Sequence, residues 1–215
     1  MNELVHPKSP RRTNDPERTQ ADILAVALRE FGEKGLAGAR IDEIAAATHT
    51  SKRMIYYYFG SKEGLYLAVL EESYRRLRQN EGELHLENLE PVAAMRRLVA
   101  YTVDHHISNE PYIRLVMTEN INRGEYLAQS PFIQDLNVPA IAHIRGLYER
   151  GVATGVFRPG LDPLDIHSTI SALAFFNVSN RHTFGLIFKL NTQSPAYIAH
   201  RRECIIETVL RYVQA

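Results

Sequence analysis

Residues 51–59 bring Ser51, Lys52, Arg53, Met54, Ile55, Tyr56, Tyr57, Tyr58 and Phe59 together in one short stretch. Arginine and lysine donate hydrogen bonds to the O6 and N7 edge of guanine in the major groove. Tyrosine hydroxyls donate to phosphate oxygens without adding charge. Ile55 and Phe59 stand four apart, the spacing of one helix face, and predict an inner side that docks on neighbouring helices. Lys62 follows in the first turn of the next predicted helix, where free backbone N–H groups already favour an anion. From Ile44 to Lys62 there are three basic residues and no acidic one. Standing alone, Lys52 and Arg53 read equally as a solvated face, and Tyr58 as a packing residue.

Helices must position these groups. Asn14 or Asp15 caps a first helix with Pro16 in its first turn, and Ile23, Leu24, Ala27, Leu28 and Phe31 form its apolar stripe. Gly32 and Gly35 are expected to end it. A short second helix is predicted over 41–47, with Ile44 and Ala45 inward. A third starts at Thr50 or Ser51 and stops at Phe59, before Gly60. Ser61 caps a fourth, 62–80. Two short helices joined by a turn of a few residues form a helix-turn-helix, whose second helix enters the major groove by its N-terminal end.

After a polar stretch, 81–89, helices are predicted at about 90–108, 111–123, 131–154, 163–189 and 195–213, punctuated by prolines and glycines. Pro139 predicts a kink or a break inside 131–154. No segment reads as a strand. The expected fold is therefore all-α: an arm (1–14) expected to be disordered, a three-helix helix-turn-helix domain (15–61), a linking helix (62–80) and a C-terminal helical domain (81–215).

The chain has 215 residues, with 25 basic and 25 acidic side chains. A net charge of zero excludes a generally polycationic binder and leaves room for a local basic patch. The single cysteine, Cys204, excludes an intramolecular disulfide framework and a multi-cysteine zinc site, and fits a reducing compartment. His105 and His106 are adjacent and point to different sides of a helix, and the other histidines are scattered, so no metal and no cofactor are expected. No apolar run approaches the roughly 20 residues that span a bilayer. The first residues, with prolines and charges of both signs, do not read as a signal peptide. The expected place is the cytoplasm, with no membrane partner. There is no nucleophile elbow, phosphate-binding glycine loop or H-E-x-x-H, so no catalytic residue is assigned.

Ile44, Ala45, Ser51, Ile55, Tyr56, Tyr58, Phe59, Ser61, Lys62, Glu63 and Leu65 match a known pattern, and AVALREFGEKG (25–35) matches the helix upstream of it. The segment resembles the DNA-binding domain of the tetracycline-repressor (TetR) family over about residues 17–70. Beyond that, only length and helical layout match. Thr48, His49 and Thr50 replace the family's usual turn, in which a glycine supplies a positive φ. Arg40 stands where the family often has a threonine. The resemblance implies that Lys52, Arg53, Met54 and Tyr56 face base edges. It places Ser51, Tyr57, Tyr58 and Lys62 on phosphates, Arg40 near the backbone, and Arg11, Arg12 and Arg18 as further contacts from the arm.

The resemblance further implies a sequence-specific repressor, released from a near-palindromic double-stranded DNA operator by a small-molecule effector. It implies a homodimer through the last two helices. Ile170, Leu173, Ala174 and Val178, with Ile198, Ile205, Ile206, Val209 and Leu210, offer apolar faces for that contact, although a single chain's core can use them as well. Polar residues on otherwise apolar helices are the effector candidates. One set contains Tyr101, His105, Arg114 and Asn120, with Met117 and Glu119. The other contains Asn177, Asn180 and Arg181 on one helix face, with Phe176 and His182. Buried, they suit a small planar or carboxylated molecule. The plainer reading gives them helix ends or the dimer contact. The alternative function is a DNA-binding architectural or protein-interaction factor of the same fold without a small ligand. The two readings differ in whether the C-terminal helices enclose a cavity.

Overall fold

The computed structural model describes residues 15–215, so Arg11 and Arg12 lie outside the described residues. Those described residues form ten α-helices and two 3₁₀ turns, with no strand beyond an isolated bridge between Phe157 and Gln214. The N-terminal helices are α1 (Pro16–Gly38), α2 (Ile41–Ala47), α3 (Lys52–Phe59) and α4 (Lys62–Gly82). Then follow α5 (Pro91–Ser108), α6 (Glu110–Ile121), α7 (Pro131–Ala153), α8 (Pro163–Ser179), α9 (Arg181–Phe188) and α10 (Pro195–Val213).

Local chemistry explains most boundaries. Asp15 Oδ1 accepts the Arg18 N–H at 3.1 Å, and Ser61 Oγ accepts the Gly64 N–H at 3.0 Å. Proline opens α5, α7, α8 and α10, where its missing N–H costs nothing.

Three expectations change. First, α1 runs through Gly32 and is interrupted only at Gly35, which takes φ 66°. Gly32 serves packing instead: a Cβ there would stand 3.0 Å from Pro111 Cα and Cβ, so its absence lets α6 approach α1. Second, α7 is not broken at Pro139. Pro139 and Asp135 lie on the exposed face, so the Asp135 carbonyl that loses its helical partner faces water. Third, the predicted helix over 163–189 divides at Asn180 into α8 and α9. Arg181 pairs with Glu110 at the start of α6, and its carbonyl accepts the Thr192 hydroxyl at 3.2 Å. These contacts hold the start of α9 in place.

Two cores hold the helices. Ile23, Phe31, Ile44, Ile55, Leu65 and Val69 pack the N-terminal helices, and Leu115 of α6 and Ile133 of α7 complete that core. In the C-terminal bundle Met95, Val99, Ile166 and Ile206 are at most 1% exposed, and each such side chain contributes about 1.5–3 kcal/mol by burial. Ile170, Ala174, Ile205, Ile206, Val209 and Leu210 belong to this core, and Val178 to a smaller cluster with Leu77, Tyr112 and Ile113. Those apolar positions of α8 and α10 are therefore used inside their own chain. The outward apolar surface lies next to them, on Phe176 and on Leu186, Ile187 and Phe188 of α9.

Candidate functional site

Ile55 is fully buried and seats α3, helped by the half-buried Tyr58 and Phe59. Ser51 fixes its start, with Oγ accepting the Met54 N–H at 3.2 Å. In the turn before it His49 adopts φ 53°, the left-handed conformation that glycine would take more cheaply, by roughly 1–2 kcal/mol. Lys52, Arg53, Tyr56 and Tyr57 then share one exposed face. Tyr57 is 77% exposed. Tyr58 packs edge-on between the rings of Tyr57 and Phe59, at 5.4 and 6.2 Å. Met54 is half-buried at the margin of the face.

α3 contains no acid, but α2 brings two beside it. Arg40 donates to Asp42 through Nη2 at 2.8 Å and Nε at 3.3 Å, and Lys52 Nζ lies 4.0 Å from the same carboxylate. The Arg40 hydrogen bond holds the Asp42 carboxyl below its usual range. Lys34 bridges Glu30 and Glu43. Lys62 Nζ donates to the Ala37 carbonyl at 3.2 Å, which ties the start of α4 to the end of α1. Among the described residues Arg53 has no carboxylate partner. Arg53, Tyr56 and Tyr57 are thus ready donors, whereas Arg40 and Lys52 must give up Asp42 to contact DNA.

The face is coupled to the rest of the molecule through α4 and α6. Glu119 is 2% exposed. Its Oε1 accepts the Tyr66 hydroxyl at 3.0 Å, and its Oε2 accepts the N–H groups of Tyr126 and Leu127 at 3.2 and 2.9 Å. Burial, with Glu119 adding, pushes the Tyr66 phenol up, so it stays a donor. Arg114 donates to the carbonyls of Gly32 and Glu33 and so links α6 to α1. Arg114 and Glu119 thereby join the two halves of the molecule.

Helices α4 to α8 line an open-mouthed cavity of about 220 Å³. Tyr74 and Tyr112 meet edge to face in its wall, with ring centroids 5.6 Å apart. Arg78 pairs with Glu81 and donates through Nε to Asn137 Oδ1 at 2.9 Å. His106 is 6% exposed and its Nδ1 has no partner. Burial, with His105 and Arg78 adding, lowers His106 to about 4, and burial followed by Arg78 lowers His167. Both imidazoles are neutral at pH 7. A larger cleft of about 680 Å³ shares Glu81, Leu98 and Ile144 with this cavity.

The effector candidates of the sequence do not meet in this cavity. Tyr101 donates to the Leu77 carbonyl at 3.2 Å, and Asn120 to the Val116 carbonyl at 2.8 Å. Asn177 donates to the Leu173 carbonyl at 2.6 Å and accepts Arg201 Nε at 3.1 Å. Asn180 separates α8 from α9, and Arg181 pairs with Glu110. His105 lines a small pocket of about 50 Å³ against α1 and α4. Its neighbour His106 faces the cavity, with Arg78, Asn137 and His167 from three other helices. No local spacing links these four residues, so only the tertiary structure assembles them.

Residues 91–209 match the family model described as tetracyclin repressor-like, C-terminal domain. Residues 23–69 match bacterial regulatory proteins, tetR family. The chain is 36% identical over 172 residues to the HTH-type transcriptional repressor NicS of Pseudomonas putida, an alignment covering 80% of this chain and 81% of that protein. It is 34% identical over 143 residues to the HTH-type transcriptional repressor SCO4008 of Streptomyces coelicolor, covering 65% and 70%. The ketosteroid transcriptional regulator KstR2 of Mycobacterium tuberculosis shares the fold, with TM-score 0.69 at 18% identity over 95% of this chain and 97% of that one. With both halves of the architecture matched, and a donor-bearing second helix exposed on the helix-turn-helix, the chain belongs to the TetR family of DNA-binding transcriptional regulators, which are not enzymes.

Proposed function

We propose that this chain is a repressor that holds a near-palindromic operator as a homodimer and releases it when a small molecule enters the C-terminal bundle. One observation carries the reading. α4 supports the α3 face at one end and lines the cavity through Tyr74, Leu77, Arg78 and Glu81 at the other. A ligand that prefers one position of α4 changes the spacing of two recognition helices, and only such a differential affinity can shift the equilibrium. NicS and SCO4008, both named repressors, support the sign of regulation. The cavity favours this reading over an architectural factor without a ligand.

Lys52, Arg53, Tyr56 and the margin residue Met54 read base edges in this scheme. Ser51, Tyr57, Tyr58, Lys62 and Arg40 hold phosphates. The two-fold contact uses 163–189 (α8 and α9) with α10, where the outward apolar side chains are Phe176, Leu186, Ile187 and Phe188, and a dimer of this kind reads two half-sites in successive major grooves.

The test is selection of bound DNA from a random pool, followed by a salt titration of the winner. A near-palindrome whose affinity falls steeply with salt is the expected outcome. No enrichment, or an asymmetric single site, overturns the dimeric repressor.

A further inference from the structure

Glycine weakens a helix relative to alanine, so a glycine inside one calls for a reason in its backbone or its packing. The chain has 12 glycines. Five take a positive φ, and five more have atoms of other residues within 4 Å of the place a Cβ would occupy. Gly82 of α4 and Gly146 of α7 have neither reason. Both line the same space, the open cleft of about 680 Å³ beside the inner cavity. Two helices thus present bare backbone to one cleft, the arrangement that lets a ligand approach the main chain closely.

The cleft is preformed. It lies between the end of α4, α5, α7 and the 3₁₀ turn Leu86–Asn88. Arg150 pins that turn, donating through Nη1 to the Glu87 carbonyl and through Nη2 to the Leu86 carbonyl, both at 2.8 Å. Glu81 is paired with Arg78. These charged groups have partners without a guest, and Leu86, Ala142 and Leu147 supply apolar wall. The other polar lining residues, Glu87 and His143, are exposed to water, so a polar end of a guest beside them keeps its hydration. No lining residue belongs to α8, α9 or α10, so a two-fold contact through those helices leaves the cleft open.

Size and shape then select the guest. A cavity of roughly 150 Å³ is enough for benzene, and the cleft is several times larger. A single ring leaves most of the apolar wall wet. A flat body of fused rings covers more of it and, unlike a chain, loses no rotamer freedom on binding.

We propose that the cleft binds a flat, mainly apolar molecule of at least two fused rings, seated on the bare backbone at Gly82 and Gly146 with its polar end towards Glu87 and His143. This rests on the effector reading above, gives that effector a chemical class and places it at the end of α4.

Three probes test it: 2-naphthol, phenol and 1-heptanol, which carry the same hydroxyl on a fused-ring, a single-ring and a chain body. Each is titrated by calorimetry into the full chain at pH 7.5. 2-Naphthol binds about tenfold more tightly than phenol and at least about threefold more tightly than 1-heptanol. Gly146→Leu and Gly82→Leu fill the cleft from two different helices, and each lowers 2-naphthol affinity at least about tenfold while circular dichroism reports an intact helical fold. Gly146→Ala raises the urea midpoint, because alanine is the better helix former, and yet weakens 2-naphthol binding. Ser171→Leu fills the inner cavity from α8 and leaves 2-naphthol affinity within about twofold. Affinity unchanged in both leucine variants of the glycines overturns the proposal. So does loss of binding in Ser171→Leu alone, tighter binding of phenol or 1-heptanol, or binding of none of the three at millimolar concentration.

Release of the selected operator is measured separately. 2-Naphthol that binds in the cleft without releasing DNA leaves the site and its ligand class standing and overturns the effector reading. A molecule that releases DNA equally well from the wild type, Gly146→Leu and Gly82→Leu does the reverse.

Discussion

The α3 face and the bundle cavity both depend on polar groups, and they treat them in opposite ways. On α3, Lys52, Arg53, Tyr56 and Tyr57 point to water, and exposed charge is cheap to keep and cheap to exchange. In the cavity, Arg78 and Glu81 neutralise each other and His106 is held uncharged by burial. One region is built to trade solvent and Asp42 for a polyanion. In the other, the charges are already paired with each other. Mutations should therefore act on binding in the first region and on stability in the second.

The largest expected effect tests the buried side. Glu119→Ala leaves the Tyr66 hydroxyl and two backbone N–H groups without an acceptor, and should destabilise the fold by about 3 kcal/mol in urea denaturation. A loss comparable to that of a surface substitution would break the contrast.

Acid should act on the same side. An unfolded histidine titrates near 6.5 and folded His106 near 4, so below pH 6.5 the unfolded state binds more protons. Its contribution to stability is present above pH 6.5 and declines as pH falls towards 4, by on the order of 2–3 kcal/mol. Urea midpoints at pH 7.5 and 4.5 measure this, and His106→Leu should flatten the slope.

On the exposed side, Arg53→Ala should cost about 1–3 kcal/mol of operator binding and relax preference at one or two base pairs. Lys62→Ala should weaken all sequences alike and lower the salt slope by about one. A changed sequence preference for Lys62→Ala would reverse that sorting of contacts. Asp42→Asn removes the internal competitor of Arg40 and Lys52, and should strengthen DNA binding severalfold at low salt and much less at high salt. The smallest effect concerns the turn. His49→Gly relieves a positive φ but gives the unfolded chain more freedom to lose, so it should stabilise the protein by only roughly half a kcal/mol, with base preference unchanged in the selection assay.

The same contrast explains what could be read in the sequence. The α3 face comes from consecutive residues, its cap is Ser51, its breaker is Gly60, and Ser61 caps the helix that follows, all within a dozen positions. The strained turn was equally legible, because His49 stands where glycine is wanted. The Asp42 pairing needed the folded turn between α2 and α3. His106 was hidden for a different reason. Its neighbour His105 sits on the same helix with the same local spacing, and only packing tells which ring faces the cavity. The division at Asn180 has no glycine or proline to announce it, and the first residue of α9, Arg181, pairs with Glu110, 71 residues away. Most apolar positions of α8 and α10 were ambiguous between two partners, and the chain's own interior takes them.

The missing side chain at Gly32 bears on how such molecules can be recombined. Pro111 Cα and Cβ stand 3.0 Å from where its Cβ would lie, and Arg114, one helical turn further on, grips the Gly32 and Glu33 carbonyls. Exchanging residues 41–65 alone leaves this contact untouched, whereas exchanging the whole head with α1 carries Gly32 away from Pro111. Such a graft must arrive with a glycine that accepts Pro111, or the receiving body must change its proline to suit. Hybrid regulators that respect this pair should keep their response to effector, and those that ignore it should read DNA with the two halves uncoupled.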